Sequence, residues 1–502
     1  MACVYRYGIL VICLSIGLIP LLVSSSNDDY FHCERVVRNW ADYSTESQTK
    51  EDDLTLKDIL FFLHIPRTGG RTYFHCFLRK LYTNYEDCPR SYDKLRFDPS
   101  KPNCRLVTTH DDYSLMSKLP KGRTSVVTIL RDPIDRVFST YEFSIEVAAR
   151  FLVHPNLTSV IEMSRRLRRK SRAVSTLDIW PWKYLVPWMR QDLFARRDAR
   201  ELRRLQIIEE NSNPYDMEDM AMPLHEFIND PIAHELVHNG ATFQVAGLTN
   251  NSYMLESHSV RDCVRKHPEL GHFVLEVAKH RLNHMLYVGL TEEHKRSAKM
   301  FTNLVGAQVL SQLETVNSDF EQATSNNTEP SSSFSDPEPN ESNQVEDSSN
   351  HTSNSNGSSP HLELARENMT VDKLMEKYEK CISNLRKSQA TRRTMSLQKI
   401  APVNFSRHAR LSVPISILQQ IQNLNSLDIE LYKHAQNIFM QQQKHLIQNA
   451  DLMAEMELQK AACGSFHGCS PWKFLVIIPL LMIVVLFILF VRRRTNKVKK
   501  IG

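Results

Sequence analysis

The sequence has little of what marks several common protein classes. Its formal net charge is only +5 over 502 residues, which is not the charge pattern of a nucleic-acid-binding protein. It contains no C-x-x-C pair, no internal repeat and no G-x-x-x-x-G-K-[ST] phosphate loop. We therefore expect no nucleic-acid partner and no bound metal. With 42% hydrophobic and 9% aromatic residues, the composition is that of an ordinary globular chain, long enough for one large domain or a few smaller ones.

Both ends of the chain carry an apolar stretch. Arg6 precedes an apolar run and three serines follow it, which is typical of a secretory signal peptide, here residues 1–24. Near the other end, residues 474–491 form an uncharged apolar run of 18 residues, just long enough to cross a bilayer. A basic tail, residues 492–502, follows this run. Because positive residues stay in the cytosol, the sequence predicts a single-pass type I membrane protein with a lumenal bulk.

The predicted lumenal part has three sections. Residues 25–56 form a polar lead-in, residues 57–462 one catalytic domain, and residues 463–473 a juxtamembrane segment. Within the domain, from about 317 to 360, serine, asparagine, glutamate and proline replace the apolar residues. A stretch of that composition buries no core, so we predict a disordered insertion there.

The cysteines and the glycosylation sequons also fit a lumenal chain. Of the ten cysteines, two fall in the signal peptide and eight remain. An even number in an oxidising lumen suggests disulfides. Cys88 and Cys104 flank a polar loop and are the best candidate pair, and Cys463 with Cys469 would close a small loop near the membrane. Eight N-x-[ST] sequons are present.

The most informative stretch covers residues 57–82, KDILFFLHIPRTGGRTYFHCFLRKLY. Residues 59–65 form a short apolar run, typical of a strand buried on both faces. A polar loop with two glycines follows, and from Thr72 apolar residues recur at helical spacing. Strand, glycine loop and helix together favour a phosphate cradle, because glycines let the backbone approach an anion and the first helical amides point at it. The alternative is an ordinary turn made by Gly69 and Gly70.

Two further strands are predicted, at residues 104–110 and 124–130, and the second is rich in β-branched residues. Strands that alternate with helices indicate an α/β fold with a central, mostly parallel sheet flanked by helices. Ligands gather at the carboxyl ends of such strands. The sequence places three polar clusters at such ends: Arg67 to Thr72, His110, and Arg131 with Asp132.

The third predicted strand opens into a second motif, LRDPIDRVFS. Asp132 is a fitting helix N-cap and Pro133 a fitting first helical residue. This arrangement puts Arg131 at the strand end and Ser139 two turns into the helix. A planar guanidinium binds a phosphate at two positions and a serine hydroxyl adds a donor, so the two side chains suit a phosphate group. The alternative is a capped helix with surface charges.

These motifs resemble those of the Golgi sulfotransferases. Residues 66–72, P-R-T-G-G-R-T, look like the 5′-phosphosulfate loop, which is K-T-G-G-T-T in the heparan sulfate 6-O-sulfotransferases and P-R-S-G-T-T in animal tyrosylprotein sulfotransferases. Residues 131–139 look like the 3′-phosphate motif of the same enzymes. Residues 241–247, 285–292 and 423–435 are similar to further heparan 6-O-sulfotransferase segments, the second of them a predicted fourth strand. Arginine in the loop, the type I topology and the length resemble the plant tyrosylprotein sulfotransferases.

The resemblance implies a P-loop-like sulfotransferase fold with a C-terminal transmembrane helix. It also implies an activity: transfer of sulfate from 3′-phosphoadenylyl sulfate (PAPS) to tyrosines of secreted peptides and proteins, as in peptide hormone maturation. Arg67 would then stabilise the charge that grows on the leaving oxygen. This chemistry requires no metal. The donor-binding residues that the resemblance implies are Pro66, Arg67, Thr68, Gly69, Gly70, Arg71, Thr72, Arg131 and Ser139.

A tyrosine phenol, with a pKa of about 10, needs a base to take its proton during the attack. His110 is the candidate, because it aligns with the H-x-D histidine that is the base in the heparan 6-O enzymes. Animal tyrosylprotein sulfotransferases use a glutamate instead, which leaves Asp111, Asp112 and Glu142 open as alternatives. An ordinary loop histidine is the remaining interpretation of His110.

Acceptor, location and competing functions are less sharply defined. Eleven arginines and two lysines lie within residues 165–204, with tryptophans among them. This pattern favours either a groove for an anionic acceptor, which could be heparan or an acidic tyrosine peptide, or a solvated helix face. We expect a Golgi membrane protein whose catalytic domain is lumenal. A heparan-like glycan 6-O-sulfotransferase is the alternative function, and the two nucleotide motifs argue against a non-enzymatic receptor. The oligomeric state is left open.

Overall fold

The computed structural model describes residues 28–46, 55–83, 86–88, 104–151, 155–156, 158–159, 214–216, 222–231, 233–312, 369–398, 405–464 and 486. The chain forms two compact units, Met1–Gln442 and Gln443–Gly502. The sheet and the candidate site belong to the first unit. In the second, the described residues up to 464 continue the helix Ser426–Gly464.

The first unit is built on a four-stranded parallel sheet with the order β2-β1-β3-β4. Every residue of every strand is buried, which explains the apolar runs of the sequence. Leu63 pairs with Thr109 on one side and Thr128 on the other, so three strands end near the same edge. The four predicted strands and their parallel arrangement are confirmed. The strands are β1 (Ile59–Leu63), β2 (Leu106–Thr109), β3 (Thr124–Leu130) and β4 (Tyr287–Leu290).

Helices flank the sheet, with short 3₁₀ turns at Tyr113–Ser117, Lys121–Arg123 and Pro268–Leu270. Helix α1 covers residues 28–46. Helix α2 consists of three consecutive segments, Gly70–Tyr73, the π-helical Phe74–Leu78, and Arg79–Leu81. The helices that follow in chain order are α3 (Pro133–Phe151), α4 (Leu224–Phe227), α5 (His234–Val237), α6 (Gly240–Val245), α7 (Ser257–Lys266), α8 (Gly271–Asn283), α9 (His294–Phe301, extended by the π-helical Thr302–Gly306), α10 (Val371–Gln398), α11 (Arg407–Leu411), α12 (Ile415–Leu424) and α13 (Ser426–Gly464).

Helix α3 begins where the sequence predicts it. The Asp132 carboxylate accepts from the backbone N–H groups of Ile134 and Asp135 at 3.0 and 3.1 Å, and Pro133 is the first helical residue. The cap holds the strand-to-helix corner after β3, where Arg131 lies. The predicted N-cap is therefore confirmed.

A buried ion pair joins three helices. Arg136 of α3 donates through Nη2 to Asp428 of α13 at 2.8 Å, and both side chains are only 2% exposed. The same carboxylate accepts from the backbone N–H and hydroxyl of Thr242 in α6, at 2.7 and 2.6 Å. A carboxylate with this many donors is well compensated for its burial. The pair thereby fixes α3, α6 and α13 to one another.

Three disulfides occur among the described residues. Cys88–Cys104 closes a short loop, which confirms that predicted pair. Cys33–Cys263 ties α1 to α7, and Cys76–Cys381 ties α2 to α10. Part of the polar lead-in is thus an ordered helix, and its buried residues recur at helical spacing: Cys33, Val37, Trp40 and Ala41.

The predicted transmembrane helix is wrong for the part of the chain that the structure describes, where no helix is long and apolar enough to cross a membrane. Helix α13 has the length, 39 residues, but glutamines and charged residues interrupt its apolar positions, and a span needs about 20 mostly apolar residues.

Several predictions lie outside the described residues. They are the signal peptide 1–24, the basic segment 165–204, the insertion 317–360, the pair Cys463–Cys469 (of which Cys463 alone is described) and, except Leu486, the apolar run 474–491.

Candidate active site

The structure brings the predicted polar clusters together at one edge of the sheet. Arg67 follows β1, His110 follows β2 and Arg131 follows β3. Arg131 Nη1 donates to the carbonyl oxygen of Arg67 at 3.3 Å. The Arg67 guanidinium in turn donates through Nε and Nη2 to Ser139 Oγ, at 3.1 and 3.0 Å. The two motifs that the sequence separates by about 70 residues therefore form one cluster.

Backbone conformation at Gly69 and lack of space at Gly70 favour glycine at the centre of the loop. Gly69 has φ 85°, a left-handed conformation that other residues adopt at a cost. A Cβ added to Gly70 would lie 2.1 Å from Cδ2 of the His64 ring. Arg67 itself is left-handed, with φ 68°, and such strain is typical of functional loops. The geometry fits a loop whose backbone approaches an anion at the start of α2.

Hydrogen bonds from the sheet edge hold this loop. Thr68 Oγ1 donates to the carbonyl of Ile65 at 2.8 Å. Thr291, directly after β4, donates through Oγ1 to the carbonyl oxygens of Thr68 and Leu130, at 2.7 and 3.0 Å. The other predicted loop residues differ in exposure, since Pro66 is buried, Thr72 half-buried and Gly69 with Arg71 exposed. The loop is thus anchored to β3 and β4 and open on one side.

The Arg67 guanidinium rests on helix α3. Besides Ser139, it lies over the Phe143 ring, 4.3 Å from the ring centroid. Burial lowers the pKa of Arg67 to about 10, while Glu146 acts in the opposite direction. The group therefore remains cationic at neutral pH. Its bonds to Ser139 use two of the five N–H groups of a guanidinium, so an incoming anion can be bound by the others.

Arg131 is held by two residues that were not predicted as site residues, Glu292 and Tyr432. Its Nε lies 3.8 Å from Glu292 Oε1, which also accepts from the backbone N–H of Asp132 at 3.2 Å. Tyr432 of α13 donates to Glu292 Oε2 at 2.6 Å. Both Glu292 and Tyr432 lie in segments that resemble the heparan 6-O enzymes, which is the signal that points to them.

The bonds of His110 define its tautomer. Its Nδ1 lies 3.0 Å from the carbonyl oxygen of His64, and a carbonyl only accepts, so Nδ1 carries the hydrogen and Nε2 the lone pair. Burial lowers the pKa of His110 to about 4, which keeps the ring neutral at neutral pH. The His64 ring packs beside it with centroids 4.2 Å apart. Nε2 of His110 therefore has the protonation state that a general base requires.

The carboxylates that the sequence left open as bases are engaged in structural bonds. Asp112 caps the turn Tyr113–Ser117, bonds Ser114 and Thr249, and has its pKa raised by burial. Asp111 is fully buried and accepts from Thr109 Oγ1 at 2.9 Å. Glu142 is equally committed, and its donors are Tyr215, Arg393 and Arg410. These bonds make His110 the better candidate.

One pattern typical of zinc sites, H-E-x-x-H, is present at residues 234–238, although we expected no bound metal. Nε2 of His234 lies 3.1 Å from the carbonyl oxygen of Asn229, and Nε2 of His238 lies 2.7 Å from that of Ile228. The two rings stack with centroids 4.0 Å apart. Glu235 accepts from the side chain of Asn250 at 2.9 Å. In this structure the pattern serves local packing and hydrogen bonding.

Comparison with known proteins identifies the family. No family model matches the sequence. The chain is 55% identical over 504 aligned residues to a curated protein of Arabidopsis thaliana named protein-tyrosine sulfotransferase, and the alignment covers 97% of this chain and 98% of the relative. An alignment of that extent spans nearly the whole length of both chains. The chain belongs to the protein-tyrosine sulfotransferase family.

Proposed function

We propose that this protein transfers the sulfuryl group of PAPS to tyrosine residues of proteins, and that the cluster of Arg67, Arg131 and Ser139 is its donor site. Membership of the family supports sulfation of protein tyrosines, and PAPS is in general the donor of sulfotransferases. The observation that carries the assignment is the bonding of Arg67 to Ser139 and of Arg131 to the Arg67 backbone. The two motifs that suit phosphate groups, the glycine loop and the start of α3, meet there.

Each part of this cluster suits a different part of the donor. The loop of residues 66–72 and the first turn of α2 offer backbone amides to the 5′-phosphosulfate. Arg131 and Ser139 supply a planar cation and a hydroxyl to the 3′-phosphate. Glu292 limits the freedom of Arg131, which reduces the entropy lost when a phosphate binds.

The reaction exchanges one bond to sulfur for another. The phenol oxygen of the acceptor forms the new S–O bond while the S–O bond to the 5′-phosphate breaks, which releases adenosine 3′,5′-bisphosphate. His110 takes the phenol proton on Nε2. Arg67 offsets the negative charge that grows on the oxygen of the breaking bond. These steps use only groups of the chain and of its two substrates.

Compartment and acceptor belong to the same proposal. Three disulfides among the described residues fit the oxidising lumen of the Golgi. Secreted proteins and peptides are the substrates available there. The arginine-rich segment 165–204 suits acceptors with an acidic residue beside the tyrosine, because opposite charges attract and the phenolate is easier to hold near positive charge.

One assay tests the reaction and the acceptor together. Radiolabelled sulfate is followed from PAPS to Asp-Tyr, Ala-Tyr and Lys-Tyr peptides and to heparan. We expect label in the peptides, in the order Asp-Tyr, Ala-Tyr, Lys-Tyr at low salt, with the differences reduced at high salt. Label in heparan alone would assign the enzyme to glycans. Equal labelling of the three peptides at low salt would remove the acidic preference from the proposal.

The donor site has its own test in Ser139→Ala. A hydrogen bond to a charged group is worth roughly 1.5–3 kcal/mol, so we expect about tenfold or greater weakening of adenosine 3′,5′-bisphosphate binding, measured by calorimetry. The rate at saturating PAPS should change much less, since the 3′-phosphate does not react.

Ser144→Ala is the matched control for this substitution. Ser144 is buried in the same helix and donates to the carbonyl of Thr140 at 2.8 Å. Its replacement should leave nucleotide affinity within about twofold. If the two variants bound the nucleotide equally well, Ser139 would not belong to the donor site.

A further inference from the structure

We propose that Gln244 is a positioning residue for the base, because its side-chain amide fixes the carbonyl oxygen that holds His110. The inference rests on the proposed role of His110. Gln244 lies in α6, far from both nucleotide motifs in sequence, and its side chain is almost fully buried at 4% exposure.

The Gln244 amide joins the exits of two strands. Its Nε2 lies 3.2, 3.1 and 3.2 Å from the carbonyl oxygens of His64, His110 and Asp111, and its two N–H groups are shared among these three acceptors. The first of these follows β1 and the other two follow β2. A single buried amide thus fixes the distance between the loop that enters the donor site and the loop that carries the base.

The His64 carbonyl has a second donor, Nδ1 of His110, at 3.0 Å. Gln244 and the imidazole therefore share one acceptor. That bond keeps the hydrogen on Nδ1 and the lone pair on Nε2, so the position of the carbonyl sets both the tautomer and the direction of the ring. A base misplaced by about 1 Å can lose on the order of 10²-fold in rate.

Helix α6 is itself tied to the donor side of the site. Its backbone N–H groups at Ala241 and Thr242 donate to Asp428 at 3.2 and 2.7 Å. Asp428 pairs with Arg136, which lies one turn before Ser139 in α3. The donor-binding helix and the amide that holds the base are thus linked through one buried carboxylate. A role confined to fold stability is the competing explanation for the same bonds.

The test is a double-mutant cycle between Gln244→Met and His110→Ala in the full chain. Methionine keeps the length of the side chain and removes the donors. We expect Gln244→Met to lower kcat about 10- to 100-fold, with adenosine 3′,5′-bisphosphate affinity within twofold of wild type. In the His110→Ala background the same change should lower kcat no further, because the group it positions is gone.

Gln442→Met is the matched control. Gln442 is also a buried glutamine, bonded to the backbone of Leu286 and Val288 at the start of β4. This control should lose stability without losing kcat. Should Gln244→Met fail to fold, Gln244→Asn keeps the amide on a shorter stem and enters the same cycle, with a smaller expected loss.

The outcomes separate this inference from the proposed function. If the effects of the two substitutions multiply, or if Gln244→Met leaves kcat unchanged, Gln244 serves only the fold and the inference fails. If His110→Ala alone retains wild-type kcat, the assignment of the base fails first, and that result is visible before Gln244 is changed.

Discussion

Replacement of Arg67 by alanine should lower the rate of tyrosine sulfation about 10²–10³-fold, the usual loss when a donor aimed at developing charge is removed. Arg67 is placed for that role because its guanidinium is half-buried, remains cationic and bonds Ser139 beside the glycine loop. The measurement is kcat at saturating PAPS and peptide, with circular dichroism as the check on folding.

Two companion variants sharpen this prediction. Arg38→Ala also removes an arginine that lies over an aromatic ring, Phe273, but it does so in α1, and it should leave kcat unchanged. Arg67→Lys keeps the charge and loses the planar group, so its loss should be smaller. Activity of Arg67→Ala within about twofold of wild type would remove Arg67 from the catalytic machinery.

Replacement of Asp428 by alanine should cost about 3–5 kcal/mol of unfolding free energy, because it leaves the buried Arg136 guanidinium without its counter-charge. The same change removes the acceptor for the first backbone N–H groups of α6. Urea unfolding of the full chain, followed by fluorescence, measures the difference. Stability should recover partly when adenosine 3′,5′-bisphosphate is added, since a ligand bound to the folded state stabilises it.

The control is Asp58→Ala, which breaks an ion pair of similar length in a different environment. Asp58 lies 2.7 Å from Arg123, but the two side chains are 58% and 69% exposed. Exposed pairs contribute about 0–1 kcal/mol, so this variant should unfold almost as the wild type does. Equal losses in the two variants would show that burial does not set the strength of the Arg136–Asp428 pair.

Much of the sheet could be predicted from the sequence because its determinants are local. The apolar run at 59–63 and the β-branched run at 124–130 indicate buried strands without knowledge of their neighbours. The N-cap at Asp132 depends on residues within one turn. The convergence of Arg67, His110 and Arg131 follows from a general property of parallel sheets, whose strands end at the same edge.

Other features were beyond prediction because their partners are distant in the chain. Two of the three disulfides span 230 and 305 residues, and cysteine spacing alone does not select among the possible connectivities. The helix in the polar lead-in is different, because its apolar residues at helical spacing, Cys33, Val37, Trp40 and Ala41, are a local signal that could have predicted it. The membrane prediction for residues 474–491 rested on a hydropathy pattern alone. None of the described helices is long and apolar enough to cross a membrane.

By itself the sequence determined the order of the strands in the chain, and it predicted two phosphate-binding motifs from residues that resemble those of sulfotransferases. Only the tertiary structure decided which nitrogen of His110 carries the proton, and which of the nearby carboxylates are committed to structural bonds. The physical reason is that hydrogen bonding assigns these states. The decisive partners, such as the His64 carbonyl for Nδ1 of His110 and Arg410 for Glu142, lie 46 and 268 residues away and meet these groups only in the folded chain.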